Sequence, residues 1–138
     1  MKTPKVCLDT LVVRENKILL GLLSPQWNVD GKRVYGHPGR DIRFKETIGE
    51  AVKRDTREEI GCQVIKYKII SVNENFLLGN HFIGIGVVVE IDGEPKNLKP
   101  DDWEKWEWFD KDKIPSNLWS PAKNVIECYL QNKICVAE

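Results

Sequence analysis

The sequence predicts an α/β fold in which helices pack on a mixed sheet. Runs of branched apolar residues of strand length occur on both sides of one strongly amphipathic segment. A second helix signal follows near the end of the chain, so the predicted order is strands, helix, strands, helix. The chain has 138 residues, which is enough for one apolar core. We therefore expect a single domain over residues 1–138.

The first two strands form a predicted hairpin. Val6 to Val13 and Lys17 to Leu23 are rich in branched apolar residues, and the polar turn 14–16 separates them. A loop, a short extended piece and a strong turn signal follow over residues 24–33, 34–35 and 36–39. The last of these, Gly36-His37-Pro38-Gly39, leads towards the central helix.

The central helix is predicted from Glu46 to Gly61. Thr47 and Glu50 form a capping-box pattern at its start, and Gly61 is a good C-terminal stop. At about 100° per residue, one face about 120° wide carries Ile48, Ala51, Val52, Asp55, Glu58, Glu59 and Cys62. Three acids therefore continue the apolar stripe instead of facing solvent.

Asp55, Glu58 and Glu59 are neighbours on one helical turn. Clustered, half-buried carboxylates need a cation among them, because desolvation and repulsion otherwise neutralise them. An all-oxygen set suits Mg²⁺, with Mn²⁺ as an alternative, and either ion takes further ligands from substrate phosphates. The alternative is a plain solvated helix face, and the apolar residues on the same face favour the metal site.

The later elements complete the fold. Gln63 to Asn73 and His81 to Ile91 are predicted strands, and Trp106 to Phe109 alternates like a strand. Ser120 is the expected N-cap of a last helix that ends near Asn132, with a proline at its first position.

Composition excludes several function classes. Lys plus Arg and Asp plus Glu each number 21, so no global charge attracts a nucleic-acid polymer or an anionic membrane. We see no secretory signal or membrane-spanning stretch and expect a cytoplasmic protein. Without a metal-site spacing, four cysteines are expected as reduced thiols: Cys7, Cys62, Cys128 and Cys135.

At these residues the chain resembles the Nudix (MutT-type) hydrolases, whose signature combines glycine, glutamate, arginine–glutamate, paired glutamates and glycine at fixed spacings. Glu46, Arg54, the pair Glu58–Glu59 and Gly61 match that signature without an insertion. Glu94-Pro95-Lys96-Asn97 and Trp106-Glu107-Trp108 are similar to the branch that contains nucleoside-triphosphate pyrophosphatases. The resemblance covers nearly the whole chain.

The resemblance implies an α/β/α sandwich and Mg²⁺-dependent attack of water on a nucleotide phosphate chain. Glu58 and Glu59 would be metal ligands, and Asp55 would be a ligand or the general base. Glu46 and Arg54 would hold the frame of the loop and helix, with Gly61 as the structural glycine. Since related enzymes often dimerise, a homodimer is the alternative to a monomer.

The chain also departs from the family pattern. Arg40 replaces the opening glycine, so the loop must be rerouted or strained there. Lys45 replaces a glycine and Arg43 an acid, while Asp55 replaces a glutamate and shortens its reach by one methylene. With Gly39, the three cations are candidates for binding substrate phosphates. Equally, the cations could pair with the acids and replace the metal, leaving a nucleotide-binding module without catalysis.

Several further residues are weighed against structural roles. His37 has access to a substrate from its loop, whereas His81 is expected to be a core histidine. A further ligand or base is sought among six acids: Glu90, Glu94, Asp101, Asp102, Glu104 and Glu107. Four aromatic residues are candidates for stacking on a nucleobase: Trp27, Tyr35, Phe76 and Trp119. Gly84 and Gly86 indicate a bulge or a close backbone approach within their strand.

Overall fold

The computed structural model describes residues 2–136 and contains seven strands and two α-helices. In chain order they are β1 (Lys5–Arg14), β2 (Lys17–Leu23), β3 (Tyr35–Gly36), α1 (Ile48–Ile60), β4 (Gln63–Asn75), β5 (Phe82–Asp92), β6 (Trp103–Asp110), α2 (Ser120–Leu130) and β7 (Cys135–Val136). A turn of 3₁₀ helix, Pro25–Trp27, lies within the predicted loop. Neither helix of this described part is long and apolar enough to cross a membrane.

All seven strands join one mixed sheet. The order along the sheet is β3-β2-β1-β5-β4-β7, and β6 also pairs with β2. β1 is parallel to β5, whereas β4 is antiparallel to β5 and β2 is antiparallel to β1, β3 and β6. The predicted mixed, partly antiparallel sheet is therefore confirmed.

The two helices cover separate apolar cores. Leu8 and Val12 of β1 share a core with α1, whereas Leu11 and Val13 share one with α2. Successive residues of a strand point to opposite faces, so a single strand supplies both cores. This arrangement confirms the α/β/α sandwich.

The hairpin of β1 and β2 opens beyond its turn, and the chain that follows β3 fills the opening. β1 and β2 pair directly at the two positions beside the turn. β3 then pairs with β2, and three backbone hydrogen bonds tie the next residues to β1: Thr10 N to Pro38 O (3.1 Å), Leu8 N to Arg40 O (3.0 Å) and Ile42 N to Val6 O (3.0 Å). Residues 36–42 are thus fixed beside two central strands, which positions the candidate site.

The helix ends differ slightly from the prediction. α1 begins at Ile48 with Thr47 as N-cap, whose Oγ1 accepts a hydrogen bond from Glu50 N at 3.1 Å, so Glu46 precedes the helix. Gly61 ends α1 in the left-handed conformation, with φ of 70°. The predicted N-cap Ser120 is wrong, because the carbonyl of Trp119 already accepts the first helical hydrogen bonds of α2.

The prediction of four reduced thiols is wrong for one pair of cysteines. Cys128 near the end of α2 and Cys135 in β7 form a disulfide. β7 lies parallel to β4 and returns the chain beside the helix, with the two Cα atoms 6.1 Å apart. Cys7 and Cys62 are free thiols.

Candidate functional site

The loop between β3 and α1 places a backbone N–H against the helix. Gly39 has φ of 131°, and a Cβ atom there would collide with the carbonyl oxygen of Leu8. Its N–H donates to Glu59 Oε2 at 2.6 Å. Among the described residues, Arg40 is not one of the non-glycine residues with positive φ. The loop is therefore rerouted through Gly39, and the alternative of strain at Arg40 is wrong.

Two of the three candidate metal-binding acids of α1 are buried beneath this loop. Asp55 and Glu59 each expose 1% of their surface and lie one helical turn apart. Asp55 Oδ2 is buried without a hydrogen-bond partner. Burial raises the pKa of Asp55 to about 8, and the neighbouring carboxylate of Glu59 acts in the same direction. A polar atom left in this state favours a cation as its partner.

Glu58 differs from the other two acids because its side chain is 36% exposed. It accepts a hydrogen bond from Arg54 Nη1 at 3.2 Å and one from Arg43 Nη2 at 3.4 Å. Although burial alone would raise the pKa of Glu58, these guanidinium groups lower it below the usual value. Glu58 is therefore held as a carboxylate at the edge of the site.

In this structure the side chains of Asp55, Glu58 and Glu59 are not arranged as a group of metal ligands. Within residues 2–136, no three His, Cys, Asp or Glu side chains form a group that could hold an ion. The physical reason is that guanidinium groups hold Glu58 and Glu59 in place. The donor set nevertheless fits a hard divalent ion, because it consists of oxygen atoms and includes the unpartnered Asp55 Oδ2.

The ion pair of Glu46 and Arg54 joins the loop to the helix. Arg54 Nε donates to Glu46 Oε2 at 2.6 Å and Nη2 to Oε1 at 2.9 Å. Arg54 also donates to Asp41 O at 3.0 Å, and Glu46 accepts from Arg43 N at 3.0 Å. The loop therefore folds over the side of α1 that carries Arg54. Bidentate arginine–carboxylate contacts of this kind fix geometry as well as charge.

Acid is expected to weaken this connection. The hydrogen bond from Arg54 lowers the pKa of Glu46 from 4.5 to about 2. Stability from a carboxylate with a lowered pKa is present above its unfolded value and is lost as the pH falls through the folded value. We expect Glu46→Gln to reduce the loss of unfolding free energy between about pH 4.5 and pH 2. Urea denaturation across this pH range measures the unfolding free energy of both proteins. An equal dependence of unfolding free energy on pH in wild type and Glu46→Gln would contradict the prediction.

The three cations of the loop have different positions. Arg40 Nε lies 3.5 Å from Glu59 Oε1, and its Nη2 pairs with Asp102. Arg43 contacts Glu58, as described above. Lys45 has φ of 67° and lies with its ammonium 5.7 Å from the ring centre of Phe44. Lys45 does not belong to the cavity lining, whereas Gly39, Arg40 and Arg43 do.

A cavity of about 620 Å³ opens beside these groups, a size typical of small-ligand sites. Glu58, Glu59 and four cationic residues, Arg40, Arg43, Arg54 and Lys99, contribute to its lining. Apolar residues also line the cavity: Leu23, Trp27, Leu77, Leu78, Phe82, Trp103, Trp119 and Pro121. The cavity therefore combines charged groups suited to phosphate with apolar surface suited to a base or similar group.

Asp9 and His37 form a buried pair in the same cavity. Asp9 Oδ1 lies 3.4 Å from His37 Nε2, and both side chains are almost completely buried. Gly84 leaves room for the carboxylate, since a Cβ atom there would collide with Asp9 Oδ2. The predicted close approach at Gly84 is confirmed. Sequence reasoning missed Asp9, although a lone acid within the apolar run Val6–Val13 was a usable signal.

The remaining candidates have mixed outcomes. Of the six acids outside the helix, Asp102 lies in the cavity lining and pairs with Arg40. Trp27 and Trp119 also line the cavity, whereas Tyr35 packs edge-on against Phe109. The expected core position of His81 is wrong, because its side chain is 34% exposed and contacts Glu74 at the end of a strand.

Comparison with known proteins agrees with this architecture. The model of the NUDIX domain family matches residues 7–128. The ADP-ribose pyrophosphatase of Methanocaldococcus jannaschii is 30% identical over 135 residues, covering 94% of this chain and 75% of that protein.

Two solved structures are also similar. A MutT NUDIX hydrolase from Burkholderia pseudomallei has a TM-score of 0.81 at 25% identity, covering 92% of this chain and 98% of that chain. A NUDIX hydrolase from Nitrosomonas europaea has a TM-score of 0.79 at 17% identity, covering 96% of this chain and 93% of that chain. The second likeness concerns the fold alone.

Proposed function

The chain belongs to the Nudix hydrolase family, and from this premise we propose that it cleaves the diphosphate linkage of a nucleoside diphosphate derivative. The observation that carries the proposal is Glu59, a buried acid that lines a cavity together with four cations and lies one helical turn from the buried Asp55. Two substrate classes are proposed: nucleoside triphosphates, and nucleoside diphosphates linked to another group. For a protein that acts on such nucleotides, we propose a cytoplasmic location.

Asp55, Glu58 and Glu59 would hold Mg²⁺, or Mn²⁺ in its place. Such an ion supplies charge neutralisation at phosphoryl oxygens and activates water. The oxygen-only donor set and the unpartnered Asp55 Oδ2 support this assignment. Magnesium binding is thus proposed from the chemistry of these acids together with family membership.

The other proposed roles are substrate binding, proton acceptance and stacking on the base. Arg40, Arg43 and Lys99 would bind the diphosphate, because they line the same cavity as Glu58 and Glu59. Asp55 would accept the proton of the attacking water if it acts as general base. Its raised pKa belongs to the metal-free protein, and a bound divalent ion would lower that pKa by favouring the charged carboxylate. Trp27 and Trp119 would stack on the base.

The proposal predicts divalent-metal-dependent release of phosphate products. The assay uses a panel of nucleoside triphosphates and nucleoside diphosphate derivatives, with and without Mg²⁺. ADP-ribose is tested first because the chain is similar to an ADP-ribose pyrophosphatase. We expect Glu59→Gln and Glu58→Gln to lower kcat by about 100-fold or more, since both lose a charged metal ligand. Turnover that is equal in wild type and both variants would exclude these acids from catalysis.

A nucleotide-binding module without catalysis is the second candidate. Two ion pairs favour it: Arg40 with Glu59, and Arg43 with Glu58. In these pairs a guanidinium group neutralises a carboxylate that a metal ion would otherwise neutralise. Calorimetry separates the two functions. Nucleotide affinity that depends on Mg²⁺ in a protein without turnover would support the module and exclude the hydrolase.

A further inference from the structure

The peptide unit between Pro38 and Gly39 is hydrogen-bonded at both ends. Its carbonyl oxygen, on Pro38, accepts from Thr10 N at 3.1 Å and lies 2.6 Å from His37 Nδ1. Its N–H, on Gly39, donates to Glu59 Oε2 at 2.6 Å. A peptide unit is planar, so fixing the carbonyl oxygen also fixes the direction of the N–H. The orientation of Glu59 is thereby connected to His37.

His37 is placed so that both ring nitrogens face acceptors. Nδ1 lies 2.6 Å from the Pro38 carbonyl oxygen. Nε2 lies 3.4 Å from Asp9 Oδ1, which is within ion-pair distance but without hydrogen-bond geometry. A carbonyl oxygen only accepts, so the contact at Nδ1 requires a proton on that nitrogen. Burial alone would lower the pKa of His37, but the nearby Asp9 raises it above the ordinary value. The Nδ1 proton itself is assigned by the 2.6 Å contact with the Pro38 carbonyl oxygen, whichever charge the ring carries.

We propose that His37 is a positioning residue for Glu59, acting through the Pro38–Gly39 peptide, and that Asp9 fixes the orientation of the His37 ring. The inference rests on the proposed function, because Glu59 is there a metal ligand. His37 itself touches neither substrate nor metal in this role. It resembles the outer partners that orient metal-binding side chains, whose loss typically lowers metal affinity or activity by about 10- to 100-fold.

Two substitutions separate this role from simple core packing. Asparagine retains a donor near the position of Nδ1, whereas glutamine retains one near Nε2. We therefore expect His37→Gln to lower Mn²⁺ affinity, measured by calorimetry, by about 10-fold or more, with kcat falling more than KM changes. His37→Asn is expected to stay closer to wild type. If His37 serves only as a polar partner of the buried Asp9 carboxylate, His37→Gln should instead stay closer to wild type than His37→Asn.

Tyr35→Phe is a matched control in the same segment. It removes the hydrogen bond from the Tyr35 hydroxyl to Glu107, at 3.0 Å, without touching the peptide that contacts Glu59. We expect Mn²⁺ affinity as in wild type. Equal affinity of His37→Gln and wild type, or weaker binding by His37→Asn than by His37→Gln, overturns the inference. If wild type neither binds Mn²⁺ nor hydrolyses any nucleotide, the proposed function fails as well.

Nitrogen NMR of the wild-type protein keeps the inference testable even when a variant does not fold. The chain contains two histidines, His37 and His81, so the signals are readily assigned by a single substitution at His81. We expect the His37 ring to carry a proton on Nδ1 near neutral pH. An Nδ1 without a proton cannot donate to the Pro38 carbonyl and would overturn the inference.

Discussion

Asp55→Asn is expected to reduce turnover strongly and, at the same time, to stabilise the metal-free protein at pH 8. Loss of a metal ligand or general base lowers kcat by about 100-fold or more. The gain in stability follows from the buried position of the carboxyl group, which exposes 1% of its surface beside Glu59. Asparagine has nearly the same shape and never becomes charged, so the desolvation of an ionised group is avoided.

The direction of this pH dependence follows from the protonation of Asp55 in the folded and unfolded states. The pKa of Asp55 is about 8 in the folded protein, against 3.8 for an unperturbed aspartate such as that of an unfolded chain. Between these values the folded protein holds a proton that the unfolded chain has released, so stability falls as the pH rises. The loss begins near pH 3.8 and is complete above about pH 8. Because one pH unit corresponds to about 1.4 kcal/mol, an interval of about four units sets an upper bound of roughly 6 kcal/mol on the effect.

Denaturation of wild type and Asp55→Asn from pH 4 to pH 9, in the presence of a chelator, measures this effect. The difference in unfolding free energy is expected to grow with pH and to shrink when Mg²⁺ is added, since ligand binding stabilises the folded wild type. Glu58→Gln is the matched control, because Glu58 is half-exposed and paired with Arg54. A pH-independent difference at position 55, or one of the same size at position 58, would show that burial does not govern Asp55.

Local sequence patterns predicted most of the elements that form the site. The cap at Thr47, the stop at Gly61 and the apolar stripe of α1 are local signals, and they place Asp55 and Glu59 on the buried face. The same periodicity could not predict that Glu58 is half-exposed. Nor could it predict the contact of Glu58 with Arg43, which lies in a loop 15 residues earlier in the sequence. Contacts of this kind depend on the route of the loop and leave no periodic signal.

The pair of Asp9 and His37 shows what a single sequence does not contain. The two residues lie in β1 and in the loop after β3, and they meet because that loop fills the opening between β1 and β2. The disulfide of Cys128 and Cys135 likewise depends on the return of β7 beside β4. In both cases the sequence supplied the residue types, but the sheet topology determined their neighbours.

Arg40→Gln is expected to strengthen Mg²⁺ binding and to weaken substrate binding. Arg40 pairs with the buried Glu59 and with Asp102, so its guanidinium competes with a metal ion for Glu59. Removing one partner of a buried pair costs about 3–5 kcal/mol, and the half-exposed position of Arg40 reduces this to roughly 1–3 kcal/mol in the metal-free protein. Mg²⁺ then becomes the remaining counter-charge of Glu59, and its dissociation constant should fall about tenfold for each 1.4 kcal/mol.

The same substitution separates the hydrolase from the binding module. In a hydrolase that uses Arg40 to hold phosphate, KM should rise about tenfold or more, because charge-assisted hydrogen bonds contribute roughly 1.5–3 kcal/mol. In a module where Arg40 replaces the metal, turnover is absent from wild type and Mg²⁺ affinity is the property that changes. Lys45→Gln is the control, since Lys45 is a cation of the same loop outside the cavity lining. Weaker Mg²⁺ binding by Arg40→Gln than by wild type would show that Arg40 supports the metal site instead of competing with it.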